Sequence, residues 1–313
     1  MTRRSELQRI ELLARLFATA DPRIELGIGD DAAILADPTS RLVWTIDAQV
    51  EDVHFRRGWL SFFDLGFRAT MAAASDLAAM GAEPLATLSS LTLDPSVSED
   101  DLEALALGQR EAAARVGAPV VGGNLAAGSA LTVTTTLLGK VSSILTRGGA
   151  APGDLLLAAG PLGLAAAGLR ALMADRGDEA LAPAVAAWRR PAARVGEGRL
   201  LAGRATAAID VSDGLSLDLS RLASASFVRA VLSEEALLSH SGEPLATAAR
   251  ALGLEALSLL LAGGEDYALL ATSPAPVEGF SVVGRIERGG GVWLEARNGL
   301  RALEPEGFDH FAP

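Results

Sequence analysis

Residues 208–219 read AIDVSDGLSLDL, and this stretch decides the fold class. The apolar run Ala207–Val211 predicts a strand, Asp213-Gly214 a turn, and Leu215–Ala223 a helix. Short strand-like runs alternate with longer helix-like runs along the rest of the chain, as at Leu155–Ala159 and Arg194–Leu201. This alternation is typical of an α/β protein, in the broad sense that includes α+β.

The polar residues of this stretch interrupt an apolar run. On a strand, Ile209 and Val211 share one face, whereas Asp210 and Ser212 share the other. A carboxylate and a hydroxyl on one strand end suit a hard cation, because Mg²⁺ prefers oxygen ligands. The alternative is ordinary turn chemistry, in which Asp213 only caps the next helix.

The predicted strand LVWTID, Leu42–Asp47, repeats this pattern. Alternation puts Thr45 and Asp47 on one face and Trp44 and Ile46 on the other. Thr45 and Asp47 are therefore a second candidate pair of oxygen ligands for a metal ion.

Asp76 lies within a long predicted helix, Phe62–Met80, which Gly81 ends. Spacings of three and four residues put Asp76 on the apolar stripe of this helix, where a charge needs a partner. A functional carboxylate fits this position. The alternative is a kink at Ser75-Asp76, with Asp76 capping a second helix.

Two further acidic segments carry weaker signals. Asp30 and Asp31 follow a Gly-Ile-Gly turn, and their mutual repulsion favours a nearby cation, although an exposed acidic turn is equally consistent. Gly263-Gly264-Glu265-Asp266-Tyr267 joins a Leu-rich helix to a strand, as many Gly-Gly linkers do.

Two domains are expected, residues 1–145 and 146–313, because the Gly- and Pro-rich segment TRGGAAPGD at 146–154 has the composition of a boundary. Within the first, Ser98 and Asp101 form a capping box, and Gly117 ends the helix that they begin. Strands at Pro119–Val121 and Leu131–Leu138 are expected to flank a Gly-rich turn.

Composition excludes several functions. The chain has 313 residues, no cysteine and a net charge of −12, so disulfides, thiolate catalysis and nucleic-acid or anionic-membrane partners are not expected. No run is long enough to span a membrane, and the N-terminus reads as an amphipathic helix, so a cytoplasmic location is expected. Lys140, the only lysine, precedes Val141 and does not complete a Walker A loop.

Taken in order, eight segments resemble the thiamine-monophosphate kinase family, in the superfamily of aminoimidazole ribonucleotide synthetase. The segments are ELGIGDDAAIL, the strand ending at Asp47 with His54-Phe55 beyond it, SDLAAMGAEP, VVGGN, LTRGGAAPGD, AIDVSDGLSLDL, LAGGEDYALL and FDHFA. Each is weak alone, but their order and spacing together are specific.

The resemblance implies two α/β domains and a homodimer whose N-terminal sheets form a barrel-like interface. It also implies ATP- and Mg²⁺-dependent phosphoryl transfer to thiamine monophosphate, giving thiamine diphosphate, with several Mg²⁺ ions on the phosphates. Carried over by motif, the metal ligands are Asp31, Thr45, Asp47, Asp76, Asp210 and Asp213, with Asn124 at a further metal-ligand position. The ATP-binding residues are Gly122, Gly123, Arg147 and Ser212, and the residues that contact thiamine are His54, Glu265 and Phe308.

The chain departs from the family pattern at two positions. Asn124 offers a neutral carbonyl where the family has a metal-binding carboxylate, and Ile46 replaces a hydroxyl residue beside Asp47. Two alternatives therefore accompany the kinase: a catalytically impaired protein that binds nucleotide or thiamine phosphates, and a related ATP-using enzyme with another small substrate.

Overall fold

The computed structural model describes residues 12–26, 34–35 and 41–308. The chain divides into two compact units, Met1–Leu77 with Ala82–Ser142, and Ala78–Gly81 with Ser143–Pro313. Near the start, residues 12–16 are helical, and β1 (Ile24–Leu26) pairs with β2 (Ile34–Leu35).

The first unit is built on a four-stranded sheet in the order β3-β6-β4-β5. Its strands are β3 (Arg41–Val50), β4 (Glu83–Leu93), β5 (Val120–Ala127) and β6 (Thr132–Val141). β6 runs antiparallel to both β3 and β4, whereas β5 runs parallel to β4. One row of the register joins Asp47, Thr135, Ser89 and Gly123 across all four strands.

The expected Gly-rich turn after Val121 is wrong. Gly122, Gly123 and Asn124 continue β5, because residues 122–127 pair with residues 88–93 of β4. A Cβ atom on Gly123 would lie 1.8 Å from the carbonyl oxygen of Ser89. Glycine here permits close approach of two strands, a requirement that in sequence looks like a turn.

Two helices accompany this sheet, α1 (Phe62–Ala79) and α2 (Glu99–Val116). The predicted capping box of α2 is confirmed, since Ser98 and Asp101 exchange both hydrogen bonds and Gly117 ends the helix at φ +75°. α1 runs without interruption through Ser75 and Asp76, which excludes the predicted alternative of a kink there.

The two faces of the sheet differ in burial. Thr135 and Ser89 are buried on one face. On the other face, the edge strand β3 exposes Leu42 by 52%, Trp44 by 71% and Ile46 by 67%. The alternation predicted for LVWTID is therefore confirmed, and it leaves an apolar stripe uncovered in the single chain.

The second unit is built on a seven-stranded sheet in the order β13-β12-β9-β11-β7-β10-β8. All neighbouring pairs in it are antiparallel except β12 with β9. Its strands are β7 (Leu155–Ala159), β8 (Ala207–Val211), β9 (Arg229–Ser233), β10 (Ala268–Ser273), β11 (Ser281–Glu287), β12 (Gly291–Ala296) and β13 (Gly299–Leu303). Its helices are α3 (Leu164–Met173), α4 (Ala182–Arg189), α5 (Val195–Leu201), α6 (Leu215–Ser226), α7 (Glu234–Leu252) and α8 (Ala256–Ala262).

Strand β8, which carries Asp210, is the edge strand of this sheet and packs into the core of the second unit. Leu156, Ile209 and Leu270 on three neighbouring strands pack with Leu219 of α6 in one buried cluster. The strand β8 predicted from AIDV is confirmed at both ends, and all five of its residues are buried.

Among the described helices, none alone has the length and apolar character to cross a membrane. One strongly bent pair, α7 with α8, meets the criterion of length and composition when its two helices are taken together.

Candidate active site

The first group of candidate residues lies on β3 and α1. The Thr45 hydroxyl donates a short hydrogen bond to Oδ2 of Asp76, so the strand and the helix bring these two predicted ligands into contact. Asp47 follows two residues later on the same strand face, and its Oδ1 accepts a 2.6 Å hydrogen bond from the Ala48 amide. All three side chains are half-buried. A hydroxyl and two carboxylates therefore line one region of the first unit.

His54 lies just beyond β3. Its Nδ1 accepts a 3.0 Å hydrogen bond from the Val50 amide, which places the proton of a neutral imidazole on Nε2. The segment is anchored by Arg57, which pairs with Glu51 and Asp94. Hydrogen bonds from the Ser96 hydroxyl and amide, together with Arg57, lower the pKa of Asp94 to about 2, so this anchor remains charged.

The predicted ATP-binding glycines and Asn124 lie on the edge strand β5, which two strands, β6 and β4, separate from β3. Asn124 is exposed, and across the sheet it lies in one row with Ser90, Thr134 and Ala48. Asn124 therefore shares its row with Ala48 on β3. Ala48 alternates with Asp47 along β3. The register therefore does not place Asn124 beside Asp47, and its role as a metal ligand stays a prediction.

The second group lies where β8 ends. Asp210 is only 4% exposed, on a strand that is otherwise apolar. Ser212 and Asp213 follow in a turn, and Oδ2 of Asp213 accepts a 2.6 Å hydrogen bond from the guanidinium of Arg221. The charge of Asp213 is thus balanced by Arg221, the seventh residue of α6.

Asp218 holds this turn together, a role that the sequence did not indicate. Its Oδ2 accepts the amides of Ser212, Asp213 and Gly214 at 3.0–3.1 Å, and its Oδ1 accepts from Arg221 at 2.6 Å. Burial raises the pKa of Asp218, and the hydrogen bonds from the Gly214 and Asp213 amides offset part of that rise. Spacing alone gave Asp218 no role, since it reads as an ordinary residue in the first turn of a helix.

The loop 263–267 lies against the same turn. The Glu265 amide donates to the Ser212 carbonyl at 2.7 Å. A Cβ atom on Gly264 would lie 2.5 Å from that same carbonyl oxygen, so only glycine permits this approach. The Glu265 carboxylate accepts a short hydrogen bond from the indole Nε1–H of Trp188. The loop therefore brings the predicted substrate residue Glu265 next to the predicted ATP residue Ser212.

Asp266, the next residue, is turned away from this turn and into the protein. Its two carboxylate oxygens accept the amides of Gly163 at 2.6 Å and Ala165 at 3.0 Å, at the start of α3. Burial raises the pKa of Asp266 to about 7, with the two amide hydrogen bonds opposing the rise and the neighbouring Glu265 adding to it. Asp266 thus fixes the loop to a helix more than a hundred residues away in sequence.

Phe308 lies beside the turn that follows β8, whereas Arg147 lies near the start of that strand and the end of α6. The Phe308 amide donates to the Asp213 carbonyl at 2.9 Å, and the Phe308 side chain is 47% exposed. Next to Arg147, the carbonyl of Thr146 accepts the Ala208 amide at 2.9 Å, so this exposed arginine follows a segment paired with β8.

The structure thus brings together some of the predicted residues of each unit, and Gly122, Gly123, Asn124 and Arg147 are not among them. The group in the first unit contains Thr45, Asp47 and Asp76, and the group in the second contains Asp210, Ser212, Asp213, Glu265 and Phe308. Asp31 lies outside the described residues, so its predicted role is not addressed.

The donor set of each group is suited to Mg²⁺, because it consists of carboxylates and hydroxyls. Within the described ranges, no three carboxylate or histidine side chains are close enough to hold an ion by themselves. Proteins usually bind Mg²⁺ through one or two carboxylates, and substrate phosphates and water complete its shell.

The fold of the chain is the AIR synthase-like fold. Comparison with known families gives the same class of protein. Residues 29–141 match the family described as AIR synthase related protein, N-terminal domain.

Within that class, the chain belongs to the thiamine-monophosphate kinase family. It is 36% identical over 271 residues to the thiamine-monophosphate kinase of Corynebacterium glutamicum, covering 83% of this chain and 81% of the relative. It is 31% identical to the thiamine-monophosphate kinase of Aquifex aeolicus over 99% of this chain and 100% of the relative. The solved structure "AaThiL complexed with AMPPCP and TMP" superposes with a TM-score of 0.81 at 29% identity, covering 99% and 100% of the two chains. The resemblance stated from the eight segments is confirmed.

Proposed function

We propose that this chain transfers the γ-phosphoryl group of ATP to the phosphate of thiamine monophosphate, giving thiamine diphosphate and ADP. The observation that carries this proposal is the full-length similarity to the kinase of Aquifex aeolicus and to the AaThiL structure that holds AMPPCP, an ATP analogue, and TMP. The impaired binder and the enzyme with another substrate have no such support.

The chemistry needs little covalent help from the protein. An oxygen of the acceptor phosphate forms a bond to the γ-phosphorus, and the bond from the γ-phosphorus to the β-bridging oxygen breaks, leaving ADP. The acceptor is already anionic at neutral pH, so no strong base is required. What the protein must supply is alignment of the two phosphates and balance of their negative charge.

For charge balance, we propose Mg²⁺ ions held by Asp47, Asp76 and Thr45 in the first unit and by Asp210 and Asp213 in the second. These residues would hold the ions, which would supply positive charge to the phosphate oxygens and help to orient them. Asp31 and Asn124 complete the proposed set of ligands.

For ATP, we propose Gly122, Gly123, Arg147 and Ser212. Gly123 is exposed on this edge strand, so a phosphate oxygen could approach the backbone of β5 there. Arg147 is exposed and can place a positive charge beside the phosphates. Because the chain has no Walker lysine, this arginine and the metal ions would supply the positive charge at the ATP phosphates.

For thiamine, we propose His54, Glu265 and Phe308. The exposed ring of Phe308 offers an aromatic face to a heteroaromatic ring. The Glu265 carboxylate is an acceptor for an amino group and a partner for a cationic ring, and thiamine has both. His54, with its proton on Nε2, can donate one hydrogen bond.

The direct test is incubation of the purified chain with ATP, Mg²⁺ and thiamine monophosphate, followed by chromatographic separation of thiamine phosphates. We expect thiamine diphosphate and ADP in equal amounts, no product when Mg²⁺ is chelated, and none when unphosphorylated thiamine replaces the acceptor. Binding of both ligands without product would favour the impaired binder. Turnover with another phosphorylated small molecule, but not with thiamine monophosphate, would favour a related ATP-using enzyme with another substrate.

We further propose that the chain forms a homodimer through the exposed stripe of Leu42, Trp44 and Ile46. Three large apolar side chains on one edge strand are costly to leave in water. Trp44→Glu should convert a dimer to a monomer in light scattering after gel filtration. Phe227→Glu, at a 90% exposed phenylalanine of the second unit, is the matched control and should leave the dimer intact. A monomeric wild-type chain would contradict this proposal.

A cytoplasmic location stays a prediction.

A further inference from the structure

Trp188 is a fully buried tryptophan that the proposed chemistry does not use. It lies in α4, has 0% exposure, and is among the largest fully buried side chains of the described residues. Its only polar atom, Nε1, donates to Oε2 of Glu265, 77 residues further along the chain. A buried indole N–H normally finds a partner, but here the partner is the carboxylate proposed to contact the substrate.

The backbone around Glu265 is unusual. Glu265 has φ +68° and Tyr267 has φ +48°, in the left-handed region that non-glycine residues rarely adopt. Such conformations persist where the surroundings hold them, and they concentrate at functional sites. Here the Glu265 amide donates to Ser212 and the Tyr267 amide donates to Val211, so both residues are held at the end of β8.

Asp266 adds a third point of attachment through the Gly163 and Ala165 amides. With the backbone fixed on both sides of Glu265, the remaining freedom is that of its side chain. A glutamate side chain loses rotamer entropy when it is immobilised. A carboxylate already immobilised before the ligand arrives avoids that cost at binding.

We propose that Trp188 is a positioning residue that orients the Glu265 carboxylate toward the thiamine part of the acceptor, and so determines affinity for the acceptor but not for ATP. This inference rests on the proposed function, because it names the acceptor as the ligand of Glu265. Trp188 itself does not contact the reacting atoms.

The test replaces Trp188 with phenylalanine, which keeps an aromatic ring in the buried site but removes the N–H. We expect the KM for thiamine monophosphate to rise about 5- to 30-fold, in line with the loss of one hydrogen bond to a charged group. The KM for ATP should stay within twofold of wild type. Trp293→Phe is the matched control, since the Trp293 indole donates to a backbone carbonyl, that of Gly290, at 3.2 Å. It should change neither KM.

Coupling is tested with Glu265→Gln and the double variant. If Trp188 acts through Glu265, the double variant should be no worse than the poorer single variant. Fully additive effects on the acceptor KM, or equal rises in both KM values, would overturn the inference.

A spectroscopic measurement keeps the inference decidable when Trp188→Phe does not fold or when the wild-type chain does not turn over. The chain has four tryptophans, so it gives four indole ¹H–¹⁵N signals. In Glu265→Gln, the Trp188 signal should move upfield and the Trp293 signal should stay. A Trp188 signal that does not move would overturn the contact. Suppose that the wild-type chain forms no thiamine diphosphate, and that its Trp188 signal does not respond to added thiamine monophosphate. Even if the Trp188 signal moves in Glu265→Gln, this result would overturn both the proposed function and the proposed ligand of Glu265.

Discussion

The two groups of candidate residues differ in how they are held. In the first unit, Thr45 and Asp47 sit on β3, a strand paired with β6 along ten residues, and one side-chain hydrogen bond links them to Asp76 on α1. In the second unit, Ser212, Asp213 and Glu265 lie in connecting segments. Buried carboxylates, Asp218 and Asp266, bind the backbone amides of these segments or fix them to distant helices.

Because of this difference, we expect substitutions in the two groups to affect stability and activity differently. A side chain displayed by a regular sheet can be changed without disturbing its neighbours, because the backbone is held by its own ladder of hydrogen bonds. A loop held by one buried carboxylate loses its shape when its backbone amides lose that carboxylate as their acceptor. Substitutions in the first unit should therefore reduce activity alone, whereas substitutions of the anchors in the second should reduce both.

The largest effect is expected for Asp47→Asn. Asparagine can still accept the Ala48 amide, so the fold is retained, but the negative charge that we propose as a metal ligand is lost. We expect turnover to fall on the order of 10²-fold, as for loss of one electrostatic contact in other active sites. The melting temperature should equal that of Asp52→Asn, an exposed control near the end of the same strand. Unchanged turnover would remove Asp47 from the proposed ligands.

Asp218→Asn should lower stability and activity together. The amide side chain has one oxygen for the three backbone amides and Arg221, so buried donors lose acceptors at a cost of about 1–3 kcal/mol. Urea unfolding measures this loss, and Asp100→Asn, on the exposed surface of α2, should change the free energy of unfolding by less than about 0.5 kcal/mol. A variant with wild-type stability would show that the second unit does not depend on this anchor.

The sequence predicts what depends on local pattern. The strand Ala207–Val211, the helix that carries Asp76 and the alternating faces of LVWTID all follow from periodicity, and the structure confirms them. The anchors could not be predicted, because each joins residues far apart in the chain. Trp188 reaches Glu265 over 77 residues, and Asp266 reaches Gly163 over 103. The sequence predicts the start of β5 as a strand but its Gly122-Gly123 part as a turn, because close approach of two backbones and a tight turn both call for glycine.

Asp266 gives the stability of the second unit a pH dependence. Folding raises its pKa from 3.8 to about 7, so the folded chain binds this proton more tightly than the unfolded chain does. The group therefore contributes stability below about pH 4, and this contribution is lost as the pH rises through about 7. The free energy of unfolding of wild type, minus that of Asp266→Asn, should be smaller at pH 8 than at pH 5.

Asp178→Asn is the control for this measurement. Arg176 lowers the pKa of Asp178, so its contribution is complete above pH 4 and should not change between pH 5 and pH 8. A difference between wild type and Asp266→Asn that is the same at both pH values would contradict the assigned direction of the pKa shift.

The smallest effect is expected for Asn124→Asp, which restores the carboxylate of the family pattern. Because Asn124 is exposed on an edge strand, the change should leave stability unaltered. If a carboxylate at this position contributes a metal ligand, the Mg²⁺ concentration for half-maximal activity should fall a few-fold or turnover should rise. An unchanged Mg²⁺ dependence would show that residue 124 does not take part in the metal site of this chain.

The most direct test of the account follows the fate of the transferred phosphoryl group. The purified chain is mixed with [γ-³²P]ATP, Mg²⁺ and thiamine monophosphate, and a single turnover is stopped with acid at successive times. We predict that the label passes to the terminal phosphate of thiamine diphosphate, one for each ADP formed, with none retained on the protein. Label found on inorganic phosphate or on the protein, in place of thiamine diphosphate, would contradict the account.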